Sequence, residues 1–270
     1  VKVNDRQFYE RFWSDFDSPA ELQVAIHVES RRPLLKLLGR HLPQGPAART
    51  LEVGCGTALD SCLLASAHGS VRAYACDLSE RAVSVAQQNA RGLGVPLTVF
   101  TGDLTALPFA DGYFDLVFSQ GVLEHFEEPG PAVREQVRVL RSGGTLVVDV
   151  PQKYNVYTLR KHQAMGEKRW PWGWETEYSV RQLRTWAPGY GLEFSDAVGY
   201  QHGRFVDRLL MHPHRTLHRQ LAKRRSNGAR NGYRPGMVAR QWENACDWLD
   251  ARLGPYLAIN VAVAYRKRDS

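Results

Sequence analysis

Leu51-Glu-Val-Gly-Cys-Gly-Thr57 is the stretch on which the fold turns. Arg49 to Val53 reads as a short strand that runs directly into two glycines, and Ala58 to Ala67 behind them has helix-forming composition. A chain that must turn sharply and bring backbone N–H groups up to a ligand needs glycine where a Cβ would intrude. Gly54 and Gly56 meet that need. A dinucleotide fingerprint asks for a third glycine at position 59, where this chain has Leu59. Glycine turns also follow strands for purely structural reasons, so the motif needs a second signal.

Outward from this turn the strand and helix patterns alternate. Val71 to Cys76 reads as a strand, Asp77-Leu-Ser-Glu80 as a turn with Ser79 as helix cap, and Arg81 to Leu93 as a helix. Pro96 to Phe100 and Phe114 to Ser119 are further strands, and Pro131 to Leu140 a helix. After Ser142-Gly-Gly144, the β-branched run Thr145 to Val150 suits a strand buried in a parallel sheet. This alternation predicts an α/β fold with a doubly wound, mostly parallel sheet. Pro19 to Leu42 reads as one or two leading helices. Past Pro151 the alternation stops, and the aromatic, polar stretch to Glu177 reads as a loop or lid. Val180 to Trp186 (helix), Leu192 to Val198 (strand), Met237 to Leu253 (helix) and Leu257 to Tyr265 (a closing strand) complete the pattern. The expected organisation is an N-terminal helical segment at 1–44 and a core at 45–200 with a lid-like insertion at 151–177. A basic helical insertion at 201–256 and a final core strand at 257–270 follow.

The 270 residues suffice for one such domain, and 43% hydrophobic with 23% charged residues is ordinary for a soluble globular chain. No apolar run approaches bilayer length, and the charged start Val1-Lys-Val-Asn-Asp-Arg lacks the apolar stretch of an export signal, so a cytoplasmic location is expected. Cys55, Cys62, Cys76 and Cys246 form no C-x-x-C pair, which argues against a disulfide framework or structural zinc. His212-Pro-His214 and His218 have no acidic or thiolate ligand near them, and no metal is expected. The net charge of +7 is local: nine basic residues and only Asp207 as an acid fall between Gln201 and Pro235. A solvated helical face, a subsite for an acidic acceptor group and a nucleic-acid groove all fit that cluster, in that order, because aromatic residues within it are few.

The second signal is Asp77, at the end of the second strand and 23 residues beyond Gly54. An acid there can accept hydrogen bonds from both ribose hydroxyls of a nucleoside, although it could also serve as a helix cap. Several motifs in order resemble the class I S-adenosylmethionine-dependent methyltransferases, in particular the small-molecule branch of ubiquinone and sterol enzymes. They are Leu51-Glu-Val-Gly-Cys-Gly-Thr57, Asp77-Leu78, Gly102-Asp-Leu-Thr-Ala-Leu-Pro-Phe109, Phe114-Asp-Leu-Val-Phe-Ser-Gln-Gly-Val-Leu-Glu-His125 and Val139-Leu-Arg-Ser-Gly-Gly-Thr145. The resemblance covers residues 45–150 and fades beyond Pro151. It implies a Rossmann-like, seven-stranded sheet with a C-terminal antiparallel strand and an inserted lid or cap.

The resemblance also implies roles. Gly54, Cys55 and Gly56 make room for the methionine part of S-adenosylmethionine, Asp77 holds the ribose, and Asp103 receives the adenine amino group. Leu78 and Leu104 sandwich the ring, while the main chain at Ser119, Gln120 and Gly121 faces the methionine end. Glu52 orders the glycine turn from behind. His125 is a candidate base, since an imidazole titrates near neutral pH. Tyr154, Tyr157 and His162 follow strand five, where ligand crevices of open α/β sheets form, and the two tyrosines are further catalytic candidates. Trp170-Pro-Trp-Gly-Trp174 with Glu175 and Glu177 reads as an aromatic wall with carboxylates, suited to a planar or cationic acceptor, or as a lid packing its tryptophans inward.

These features point to methyl transfer to an O, N or C atom of a small molecule, aromatic or acidic, without a membrane partner. Secondary metabolism is a fitting setting. Methylation of RNA through the basic 201–235 segment is the alternative within the class. Ser119-Gln-Gly-Val122 lacks the Asn/Asp-Pro-Pro-aromatic tetrapeptide of DNA base methylases. An NAD-dependent oxidoreductase, disfavoured by Leu59, and a non-catalytic nucleoside-binding protein are the rivals outside it.

Overall fold

The computed structural model describes residues 5–14, 31–43, 45, 47–170, 173–202, 255–256 and 258–269. The helix read over Met237 to Leu253, the basic cluster from Arg204 onward and the start of the leading helices at Pro19 lie outside the described residues. Seven strands form one sheet: β1 (Arg49–Val53), β2 (Arg72–Asp77), β3 (Leu97–Thr101), β4 (Phe114–Gln120), β5 (Leu140–Pro151), β6 (Leu192–His202) and β7 (Ala258–Lys267). Their spatial order is β3-β2-β1-β4-β5-β7-β6, with β7 antiparallel to both neighbours and the other pairings parallel.

Chain direction explains the buried runs. Helices α3 (Leu59–Ala67), α4 (Glu80–Gly92) and α5 (Gly130–Val139) connect parallel strands and cover the sheet faces, so strands such as β5 are apolar on both sides. In β4, Val117 packs into one layer, while Leu116 and Phe118 pack into the other with Leu34, Leu37 and Leu38 of helix α2 (31–40). The sheet reverses its winding at β1, which pairs β2 on one side and β4 on the other. Val53 is thereby level with Cys76 and Ser119, and a crevice opens just beyond them.

Local chemistry sets the ends of the elements. The Ser79 hydroxyl accepts the Ala82 N–H and caps α4, as its sequence position suggests. Helix α7 (Val180–Trp186) begins with a reciprocal Ser179–Gln182 capping box. Two elements depart from the sequence expectation. Residues 151–177 contain helix α6 (Val156–Gly166), capped by Asn155, whose buried positions include Thr158 and Lys161 while Leu159 is exposed. A helix with so little apolar face leaves no 3.6-residue stripe to read. Strand β5 begins at Leu140 rather than Thr145, because residues 141–144 form a bulge: Phe114 pairs with Leu140 but Leu116 with Thr145.

No helix among the described residues is long and apolar enough to cross a membrane. Phe114, fully buried, makes edge contacts with the rings of Tyr74, Phe109 and Tyr113 at centroid distances of 5.4, 4.7 and 4.9 Å. Phe114→Ala is expected to cost about 3–5 kcal/mol in urea unfolding through lost burial and a cavity; a cost under about 1 kcal/mol would mean that this layer relaxes freely.

Candidate active site

The chain leaves β1 through three residues with left-handed backbone, Gly54 (φ 64°), Gly56 (φ 50°) and Ala58 (φ 51°). Space as well as conformation demands glycine at two of them. A Cβ on Gly54 would lie 2.5 Å from Val122 Cγ2, and one on Gly56 would lie 2.7 Å from the Trp13 ring. Asp77 braces this turn from the end of β2. Its Oδ2 accepts the Gly56 N–H at 2.9 Å and its Oδ1 the Ser79 N–H at 3.0 Å. Burial raises the Asp77 pKa, and the N–H groups of Ser79, Gly56 and Leu78 oppose that shift. The cap of α4 is Ser79, so Asp77 is not spent on that task.

Glu52, inside β1, reaches the first turn of α3, where its Oε2 accepts the Ser61 N–H at 3.1 Å. Burial, reinforced by nearby Asp60, pushes its pKa up to about 8. Asp60 is paired with Arg31 of α2 at 3.0 Å. Above the turn lies helix α1 (Arg6–Ser14), whose Phe8, Tyr9, Phe12 and Trp13 form an aromatic roof. Glu10 of α1 fastens that roof to the start of α4: it accepts the Ser79 hydroxyl at 2.9 Å and the Glu80 N–H at 2.7 Å.

Under this roof is a cavity of about 670 Å³. That is within the range of roughly 300–1,000 Å³ usual for small-molecule sites. Of the cofactor residues expected from sequence, Glu52, Gly54, Cys55, Gly56, Asp77 and Leu78 line it. So do Leu104, Gln120 and Gly121, together with the candidate bases His125 and Tyr157. Asp103, Ser119 and Tyr154 are not among its lining residues. Asp103 accepts the N–H and hydroxyl of Thr105 in the next turn, and Ser119 is buried within β4. The Tyr154 ring is 69% exposed, turned outward at the bend before α6.

The structure adds residues that spacing alone did not reveal. Lys161 of α6, its side chain 1% exposed, lies 2.6 Å from Glu175 Oε2 and 2.8 Å from Glu177 Oε1. Burial works against its charge, but the two carboxylates outweigh that and hold its pKa above the usual lysine value. Its ammonium also lies 5.6 Å from the centre of the Trp170 ring. His125 Nδ1 bonds the Trp174 carbonyl at 3.0 Å, so in the neutral ring Nδ1 carries the proton and Nε2 the lone pair. Burial lowers the His125 pKa, favouring that neutral form. The aromatic run at 170–174 was legible, but its pairing with a lysine of α6 joins segments far apart in sequence.

A glycine turn at the switch point, a carboxylate one strand away and a cavity leading on to aromatic and ionisable groups define an α/β enzyme that handles a nucleoside-bearing ligand. Residues 51–148 match the family described as a methyltransferase domain. The malonyl-[acyl-carrier protein] O-methyltransferase of Herminiimonas arsenicoxydans is 31% identical over 212 residues, 77% of this chain and 75% of that protein. The ajmaline N-methyltransferase of Rauvolfia serpentina is 32% identical over 108 residues, 39% of this chain and 37% of its own length. Among solved structures, an S-adenosylmethionine-dependent methyltransferase of Thermotoga maritima, described as a possible histamine N-methyltransferase, superposes with a TM-score of 0.62. It is 17% identical, over 98% of this chain and 100% of that one. The chain belongs to the class I S-adenosylmethionine-dependent methyltransferases.

The buried Glu52 gives the site a pH signature. In the folded chain it keeps its proton to about pH 8, whereas an unfolded glutamate releases it near 4.5, so stability falls as pH rises between those values. Thermal melts of the wild type are expected to decline across this window more steeply than those of Glu52→Gln. Parallel profiles would show that Glu52 ionises normally in the folded chain.

Proposed function

We propose that this methyltransferase acts on a small molecule, held at the end of the cavity bordered by His125, Tyr157, Lys161, Trp170 and Glu175. The observation that carries this reading is the continuity of one cavity from the glycine turn and Asp77 to those side chains. When bound, S-adenosylmethionine supplies a methyl group activated by its sulfonium. The residues present suit that molecule: Gly54 and Gly56 bring side-chain-free backbone to the wall of the cavity, and Asp77 presents a carboxylate to ribose hydroxyls.

In this reading Leu78 and Leu104 flank the adenine, Asp103 receives its amino group from the adjoining turn, and Gln120 and Gly121, continuing from Ser119, border the methionine end. Cys55 contributes its backbone within the turn, and Glu52 steadies the start of α3 behind it. The protein's main work is then alignment and exclusion of water. Aromatic side chains of α1 close one side of the cavity, and the carbonyl of Trp174 orients His125 next to the acceptor. Oxygen and nitrogen acceptors are both found among the relatives, as the names of the malonyl-[acyl-carrier protein] O-methyltransferase and the ajmaline N-methyltransferase record. A small-molecule acceptor agrees with a cavity of this volume whose lining includes Tyr157 and Trp170.

Asp77→Ala is expected to weaken S-adenosylhomocysteine binding by about 1–3 kcal/mol, or roughly 5- to 150-fold, because it removes charge-assisted bonds and leaves the Gly56 N–H without its carboxylate. Calorimetry on the folded variant measures this. Unchanged affinity would remove Asp77 from the cofactor site.

A further inference from the structure

Glu124 lies in the short 3-10 turn Leu123–His125 that follows the bend at Gly121. It is 3% exposed and lines the cavity, yet its Oε2 has no hydrogen-bond partner. A buried carboxyl oxygen is costly to leave unmatched, and this one belongs to a residue that lines the cavity, where an entering donor can satisfy it. The carboxyl also has a defined position. A Cβ built on Gly121 would fall 3.6 Å from Glu124 Oε1, so the group stands against the residue that the proposed function puts at the methionine end of the cofactor.

The chain draws a second carboxylate to this spot. The Thr176 N–H donates to the Glu124 carbonyl at 2.9 Å, and the Trp174 carbonyl holds His125 at 3.0 Å. Glu175, between these two anchors, is thereby brought into the same cavity. Among the described residues the cations of the cavity, Arg31 and Lys161, are already matched. Lys161 sits between Glu175 and Glu177, and Arg31 is paired with Asp60. Among the described residues, five carboxyl groups, Glu52, Asp60, Asp77, Glu124 and Glu175, line the cavity against Arg31 and Lys161. A carboxylate entering here would meet acids and committed cations. An ammonium would meet the Glu124 carboxyl oxygen that has no partner, in a cavity also lined by Tyr157 and Trp170, whose ring centres are 6.1 Å apart.

We propose that Glu124, with Glu175 beside it, is the subsite for the acceptor's nitrogen, and that the acceptor is an aliphatic amine carried on an apolar or aromatic body. The inference rests on the methyltransferase reading of the cavity and names its substrate class. Burial favours the acid form of the empty Glu124; the amine, arriving as its ammonium ion, displaces that proton to solvent and pairs with the resulting carboxylate. One N–H bond breaks as the proton moves to Glu124, forming a carboxylic acid and freeing the nitrogen lone pair. That pair forms the new N–C bond to the methyl group while the C–S bond breaks and leaves its electrons on sulfur. The products are the methylated ammonium ion and S-adenosylhomocysteine, and Glu124 is left in the acid form from which it started. Glu124 thus acts as a catalytic residue, and Glu175 supports the ammonium by its charge.

The test begins with the wild-type chain titrated with S-adenosylhomocysteine. The saturated protein is then titrated by calorimetry with 2-phenylethylamine and its matched analogues 2-phenylethanol and 3-phenylpropanoate. The amine is expected to bind at least about 10-fold more tightly than either analogue, the scale of one hydrogen bond to a charged group. With labelled S-adenosylmethionine, 2-phenylethylamine is expected to take up the methyl group. Glu124→Gln should lower its kcat/KM by at least about 10-fold while the affinity for S-adenosylhomocysteine stays within about twofold. If S-adenosylhomocysteine fails to bind the wild type, the methyltransferase reading falls and takes the subsite with it. If it binds normally but the amine does not, or the acid or alcohol binds as well, or Glu124→Gln keeps full turnover, the amine subsite alone is overturned. Should Glu124→Gln not fold, the three wild-type titrations decide the matter.

Discussion

The Asp77 carboxylate joins the two halves of the site. By accepting the N–H groups of Gly56 and Ser79, it ties the turn after β1 to the start of α4. Those N–H groups belong to neighbouring βα connections on one side of the point where the sheet reverses. Without that bridge the glycine turn would have the freedom that glycine brings, and its backbone donors would not face one place. The cost is a buried charge whose pKa is raised by desolvation. A group held at such a cost and still lining a cavity suits a ligand that offers it hydrogen-bond donors.

The opposite wall is built on a different principle. Lys161, Glu175 and Glu177 form a buried ionic cluster in which one ammonium is shared by two carboxylates. Such clusters add little net stability, because desolvation offsets much of the attraction, but they enforce one arrangement. Here the arrangement fixes α6 against segment 174–177, and that segment is fastened in turn to the Leu123–His125 turn. The aromatic residues of α1 close the third side through Glu10, which caps α4 from another element. The site is therefore held by contacts between distant parts of the chain rather than by one rigid motif.

That distinction explains what the sequence made legible. Strand β1, the glycine turn, Asp77 and the cap Ser79 are signalled by residue type and short spacing, and the structure finds them where the pattern puts them. Helix α7 runs from Val180 to Trp186, the bounds its spacing suggests. The lysine partner of Glu175 and Glu177 carried no such signal, because nothing local separates a buried lysine from a surface one. Helix α1 falls within the helical segment expected at 1–44, but its place over the site was hidden: none of its residues is fully buried, and its aromatic side chains find their purpose only against a turn some forty residues away. Tyr154, attractive by its place after β5, is turned to solvent by the bend that precedes α6. Glu124 was read as part of a motif, and its burial without a partner for Oε2 is visible only in the structure.

The account stands or falls on whether this crevice takes an adenosyl-methionine ligand. Calorimetric titration of the whole chain with S-adenosylhomocysteine, beside an identical titration with NAD, puts the question directly. One saturable site for S-adenosylhomocysteine and no heat with NAD is the expected result, since the turn and Asp77 suit a nucleoside while Leu59 replaces the glycine that a dinucleotide fingerprint requires. Saturable binding of NAD, with none of S-adenosylhomocysteine, would contradict it.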